Sequence, residues 1–170
     1  EKYVAQKDGS LTKMPENGWF LNEGKYYYIK DGEIVKKKIL EINGAYYAFK
    51  ANGVMVDASD NKYEGNEFYF TDESGNYIYC RAKEDGSLYI NEWYIDSNDK
   101  YYYGEGGKAY RGLQVIDGKQ YYFSTSGILC KDGLVKAEDG NSYYCDSEGI
   151  ATAVTDNSWI QLNEKWYYVR

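Results

Sequence analysis

The chain has no histidine, a single proline (Pro15) and only three cysteines in 170 residues. Without histidine it lacks the commonest general base and the commonest metal ligand. Cys80, Cys130 and Cys145 stand at no metal-ligand spacing and are odd in number, so they point to no metal site. Sequence alone leaves a Cys130–Cys145 bridge open. There is no glycine-rich phosphate loop and no catalytic-cysteine context. The acidic couplets Asp72-Glu73, Glu84-Asp85 and Glu138-Asp139 could suggest a glycosidase pair. They fall in turn or connecting segments, where acids are favoured for conformational reasons. The expectation is a chain with no catalytic, metal or cofactor chemistry of its own.

Positive charge is also scarce: 20 Lys and Arg stand against 27 Asp and Glu, a formal net charge of −7. Phosphate binding normally shows as a basic stripe, so nucleic acid is excluded as a partner. The one basic run, Lys36-Lys37-Lys38, reads as a solvated face. No stretch approaches the roughly 20 apolar residues of a membrane helix, so membrane insertion is not expected. No signal peptide opens the chain, which by itself fits a mature or truncated form, or a cytosolic one.

What is abundant is tyrosine, 22 residues, and glycine, 18. Aliphatic residues are thin, so burial must come from aromatic rings, and tyrosine brings a hydroxyl that wants a wet or hydrogen-bonded end. The rings recur as triplets beginning at Tyr26, Tyr47, Phe68, Tyr101, Tyr121, Tyr143 and Tyr167. All but one interval is 20 to 24 residues, and the exception is 33. A unit of about twenty residues cannot hide its own apolar face, so neighbouring units must stack.

Each unit reads as a β-hairpin. Asp117-Gly118 lies between the alternating runs Leu113–Ile116 and Lys119–Phe123, and such a turn needs positive φ at both central positions. Asn43-Gly44 and Asp139-Gly140 are expected to do the same, with Glu23-Gly24 and Glu64-Gly65 as weaker versions. A second glycine per unit (Gly32, Gly53, Gly75, Gly107, Gly127, Gly149) lets the chain leave one hairpin for the next. Cys145 takes a triplet place filled elsewhere by Tyr or Phe and is expected to be a small buried hydrophobe. The fold expected is all-β, a β-solenoid of stacked β-hairpin repeats of about twenty residues. It forms a single array over residues 1–170, with possible sub-blocks 1–75 and 76–170. Each sub-block carries an Asp-Gly-Ser-Leu element, Asp8–Leu11 and Asp85–Leu88, opening an extra irregular hairpin that accounts for the long interval.

The stretches Gly112–Gly127 and Gly18–Gly32 follow one pattern: Gly-Trp or Gly-Leu, a short strand, an acidic or Asp-Gly turn, Lys, aromatic residues, polar residues and Gly. This resembles the cell-wall-binding or choline-binding repeat family of Gram-positive surface proteins, which includes glucan-binding repeats. The resemblance covers essentially the whole chain. It implies a superhelical solenoid, an extracellular, secreted or cell-wall-associated location, and a non-catalytic module attaching a secreted protein to a cell-wall polysaccharide, a glucan or a choline-bearing polymer. It also leaves room for a structural or adhesive stalk whose ligand sites have decayed.

The resemblance further implies which residues bind. A choline cage turns three aromatic faces to one trimethylammonium, and tryptophan is the best cation–π partner. Glucan asks for flat aromatic platforms with polar neighbours. Both want Trp at the start of the first strand, kept here at Trp19, Trp93 and Trp159, or just before the Tyr-Tyr pair, kept at Trp166 with Tyr46 in the equivalent place. Leu113, Gln120 and Ser142 depart from the pattern. The unit carrying Trp159, Trp166 and Tyr167 has both tryptophans, so a surviving cage is expected there first. A net charge of −7 favours a neutral glucan or a polymer bearing a cationic group over a plain anionic wall polymer.

Overall fold

The structure is a computed structural model that describes all residues except 62–66, 73, 98, 163 and 170. The expected Glu64-Gly65 turn and the acid Glu73 lie outside the described residues. The fold is all-β, a β-solenoid built from antiparallel hairpins, with two short 3₁₀ turns among the described residues, at Ala58–Asp60 and Glu105–Gly107. No helix among the described residues is long and apolar enough to cross a membrane. The chain forms two compact units: Glu1–Glu92 with Tyr103–Ala109, and Trp93–Tyr102 with Tyr110–Arg170.

In the first unit β1 (Tyr3–Ala5) pairs with β2 (Leu11–Lys13). Next, β3 (Gly18–Asn22), β4 (Lys25–Lys30) and β5 (Glu33–Ile34) form a three-stranded sheet. Two further hairpins follow: β6 (Lys38–Ile42) with β7 (Ala45–Phe49), and β8 (Phe68–Thr71) with β9 (Tyr77–Cys80). Glu23-Gly24 and Asn43-Gly44 make two-residue loops with φ of 47° and 70°, and of 52° and 82°, as a mirror-image hairpin turn requires.

β10 (Glu92–Asp96) pairs with β11 (Asp99–Tyr103), and in the second unit β12 (Gly112–Ile116) pairs with β13 (Lys119–Phe123). A three-stranded sheet joins β14 (Gly133–Lys136), β15 (Ser142–Cys145) and β16 (Ala151–Val154), and β17 (Ser158–Leu162) pairs with β18 (Lys165–Val169). Asp117-Gly118 has the expected turn, with φ of 50° and 75°. Asp139-Gly140 does not. Of those two residues only Gly140 has positive φ, and the connection is wider: Ala137 N–H donates to Asn141 O, and Gly140 N–H donates back to Ala137 O. The Asp139 carboxylate accepts the Asn141 N–H, which stabilises the wider turn in place of a tight one.

A repeated backbone bond stacks the hairpins. The segment after a hairpin reaches back to the one before it: Met55 N–H donates to Tyr26 O at 2.8 Å, Leu88 to Tyr46 at 2.8 Å and Ala109 to Tyr79 at 2.9 Å. In the second unit Leu129 N–H donates to Lys100 O at 2.8 Å. Between the layers the cores are small and aromatic. One gathers Val35, Ile42, Phe49 and Met55, and another Tyr102, Ile116, Phe123 and Leu129. Gly53 shows how tight the stack is, since a Cβ there would lie 2.3 Å from Ile34 Cγ2 at a φ of +85°.

Cys145 is fully buried beside Ala137, Tyr143 and Ala151, with Cys130 packed against that cluster. All three thiols are free. Strand register corrects the reading of the first triplet. Gly18 faces Ile29 where Lys38 faces Phe49 and Gly112 faces Phe123, so Ile29 holds the third aromatic place. The triplet frame there begins at Tyr27. Three consecutive tyrosines hide that one-residue offset from a search for aromatic spacing.

Candidate ligand-binding site

Trp19 lies on β3 directly opposite Tyr28, and Leu21 lies opposite Tyr26. Side chains two apart on a strand share a face, so Trp19, Tyr26 and Tyr28 project together. The next hairpin adds Tyr47 and Phe49 from β7. The Trp19 centroid lies 5.3 Å from Tyr28, 4.8 Å from Tyr47 and 6.3 Å from Tyr26, with interplanar angles of 80°, 80° and 88°. Phe49 sits 6.1 Å away, fully buried beneath them. Edge-to-face contacts of this kind hold rings apart at fixed angles instead of letting them collapse into a stack.

Trp19 remains 38% exposed and Tyr26 49%. They open onto a groove of about 800 Å³ lined also by Tyr47 and Met55, with Asp57, Glu84 and Asp85 at its edge. The Ser59 hydroxyl, its N–H, and the charges of Lys50 and Lys25 hold Asp57 below the ordinary carboxylate range against the opposing effect of burial. Asp85 is lowered chiefly by the Ser87 hydroxyl and N–H, which bond its Oδ1 at 2.6 and 2.9 Å. Both are therefore anionic at neutral pH. Ring faces beside fixed negative charge suit a soft organic cation.

The other expected site residues are dispersed. Tyr46 is on the opposite face of β7 from Tyr47. It packs against the Ala48, Val56 and Phe70 core, and its hydroxyl donates to Glu41, its cross-strand neighbour, which raises its pKa. Trp93 anchors a second ring cluster, 4.9 Å from Tyr102, 5.3 Å from Tyr121 and 6.0 Å from Phe123. In the last hairpin Trp159 faces Tyr168, with centroids 5.3 Å apart at 61°. Trp166 falls on the same face by alternation, and Tyr167 on the other. Trp159 and Trp166 are 63% and 61% exposed, so these rings stand open to solvent and are not enclosed in a cup.

Sequence reasoning missed Tyr26, Tyr28, Tyr47, Met55 and the acidic edge. Placing the hairpin on its Glu23-Gly24 turn would have put Tyr26 where Tyr46 and Trp166 stand. Met55 and Asp57 lie in a connecting segment, and no spacing rule points to them. The acids dismissed as catalytic have turn roles: Asp72 accepts from the Ser74 and Asn76 N–H groups, Asp85 from Ser87, and Asp139 from Asn141 and the Tyr143 hydroxyl.

Residues 110–152 match the family model of the choline-binding repeat, and residues 157–170 that of the putative cell wall binding repeat. Glucosyltransferase-S of Streptococcus downei is 31% identical over 167 residues, 97% of this chain and 11% of that protein. Toxin B of Clostridioides difficile is 43% identical over 65 residues, 32% of this chain and 3% of that protein. The chain thus spans about a tenth of the length of the glucosyltransferases it matches. Among solved structures, the choline-binding domain of CbpL from Streptococcus pneumoniae aligns with a TM-score of 0.54 at 26% identity, covering 89% of this chain and 72% of that one. CbpJ from the same species aligns with a TM-score of 0.59 at 20% identity, covering 98% and 53%, which speaks for the fold alone. The repeated hairpins, the ring clusters between them and the matching families agree: this chain is a binding module built of cell-wall-binding, choline-binding-type repeats.

Proposed function

We propose that this chain is a non-catalytic extracellular module that attaches its parent protein to a wall polymer or glycan, and that the Trp19 groove receives the trimethylammonium group of a choline-substituted polymer. The observation that carries this reading is the convergence of Trp19, Tyr26 and Tyr47 above Met55, beside the acids Asp57, Glu84 and Asp85. A neutral sugar takes only hydrogen bonds from those carboxylates, whereas a cation gains charge attraction from them as well as from the ring faces. The 26%-identical relative is itself a choline-binding domain.

A second reading, neutral glucan, has its own observation. The open platform of Trp159, Trp166 and Tyr168 offers flat exposed rings, and the 31%-identical relative is a glucosyltransferase. Calorimetric titration of choline and of an isomalto-oligosaccharide against wild type, Trp19→Ala and Trp166→Ala separates the two. The choline reading expects heat with choline that disappears in Trp19→Ala and survives in Trp166→Ala. Heat only with the oligosaccharide, lost in Trp166→Ala, would transfer the function to the glucan platform. No heat with either ligand would favour a structural stalk.

A further inference from the structure

The Trp19 and Trp93 clusters are copies of one another, offset by 74 residues. Tyr28 corresponds to Tyr102, Tyr47 to Tyr121, Phe49 to Phe123 and Met55 to Leu129. The ring distances repeat closely: 5.3, 4.8 and 6.1 Å in the first, and 4.9, 5.3 and 6.0 Å in the second. So does the backbone, with the Met55 N–H bond to Tyr26 O matched by that of Leu129 to Lys100 O, each at 2.8 Å. Two rings are not shared: the second cluster adds Tyr110, 5.1 Å from Tyr102, where the first has Val35, and it lacks a counterpart of Tyr26. Where the first cluster has Tyr26, the second has Lys100, and its Nζ lies 4.1 Å from the centroid of the Trp93 ring.

That distance is well inside the range in which a ring face attracts an ammonium. We infer that Lys100 is a specificity-determining residue: its ammonium is a built-in occupant of the Trp93 cluster that excludes a quaternary-ammonium ligand, so that of these two copies only the Trp19 cluster is open to one. Two cations cannot share one ring face without strong mutual repulsion. The surroundings change sign in the same direction. Val56 N–H bonds Ala48 O as Cys130 N–H bonds Tyr122 O, so the residue after each is equivalent, and Asp57 at the first cluster becomes Lys131 at the second. The inference rests on reading such ring clusters as ammonium sites, but it can be tested without Trp19.

The test uses the four indole N–H signals in a nitrogen-15 spectrum, assigned by single Trp→Phe variants, during titration with choline chloride against a sodium chloride control. In wild type the Trp93 signal should stay still, or respond at least about tenfold more weakly than Trp19. Lys100→Met removes the charge at similar length, and Lys100→Tyr restores the ring found at Tyr26. In both, the Trp93 signal should move and saturate with choline. The inference is overturned if Trp93 responds as strongly in wild type as in Lys100→Met, or if it is still in both variants. A silent Trp19 with a Trp93 that responds only in the variants would reject the proposed Trp19 site and uphold the role of Lys100. A responsive Trp19 with a Trp93 that stays still throughout would do the reverse.

Discussion

The indole of Trp19 stands 4.8 Å from the ring of Tyr47 at an interplanar angle of 80°, and Tyr47 belongs to the next hairpin. A single contact therefore joins two layers of the solenoid and forms the wall of the candidate site. Removing either ring should affect both stability and binding. Tyr47→Ala is expected to lower unfolding stability by about 2 kcal/mol, since a half-buried ring is lost, whereas Tyr47→Phe should be nearly neutral. A double-mutant cycle with Trp19→Ala in urea should give a coupling of about 0.5–1.5 kcal/mol. Additive effects would show that the two rings do not hold the layers together.

Gly53 and Gly44 both have positive φ, +85° and +82°, but differ in surroundings. At Gly44 a Cβ meets nothing within 4 Å, while at Gly53 it meets Ile34 Cγ2 at 2.3 Å. Gly44→Ala should therefore cost only the backbone strain, about 1 kcal/mol, and Gly53→Ala clearly more. Thermal melts of the two variants check the order, and equal losses would refute the close approach between layers.

Burial pushes the Cys80 thiol well above its usual range, with the nearby Glu67 and Asp60 charges acting in the same direction. Burial also raises Cys145, followed by its hydrogen bond with Cys130. A raised folded pKa means that the unfolded thiol ionises first. The stability contributed is present in full below about pH 8.5 and is lost above it, at up to about 1.4 kcal/mol per pH unit for each thiol. Urea unfolding at pH 7 and pH 9.5 should show that loss in wild type, and a smaller one in Cys80→Ala. An unchanged midpoint difference would show that Cys80 is not shielded. At the acid end the sign reverses. Asp8, Asp72, Asp85 and Asp139 are lowered by turn hydrogen bonds, so the stability they lend is present above about pH 4 and is lost as pH falls below it.

The hairpins were legible because turn chemistry is local. Asp117-Gly118 and Asn43-Gly44 announce their conformation in two residues, and the buried role of Cys145 followed from its place in a triplet. Asp139-Gly140 misled for the same reason, since the dipeptide fits a wider turn when Asn141 supplies an N–H to the aspartate. The candidate site was only half legible. Trp19 and Trp93 stood out, but a cluster shared by two hairpins draws on residues some twenty apart and on a connecting segment, as Met55 and Asp57 show. Lys100 was invisible as a functional residue because a lysine near a turn is ordinary. Only its position over Trp93 gives it meaning.

The central claim is that the Trp19 groove recognises positive charge and not merely apolar bulk. Choline and its uncharged carbon isostere, 3,3-dimethyl-1-butanol, have the same shape, so calorimetric titration of both into wild type, with Trp19→Ala as the control, isolates the charge. The account predicts that choline binds about 2- to 30-fold more tightly, the cation–π contribution of about 0.5–2 kcal/mol, and that Trp19→Ala abolishes the difference. Equal affinity for the two ligands, or a preference for choline that survives Trp19→Ala, would contradict it.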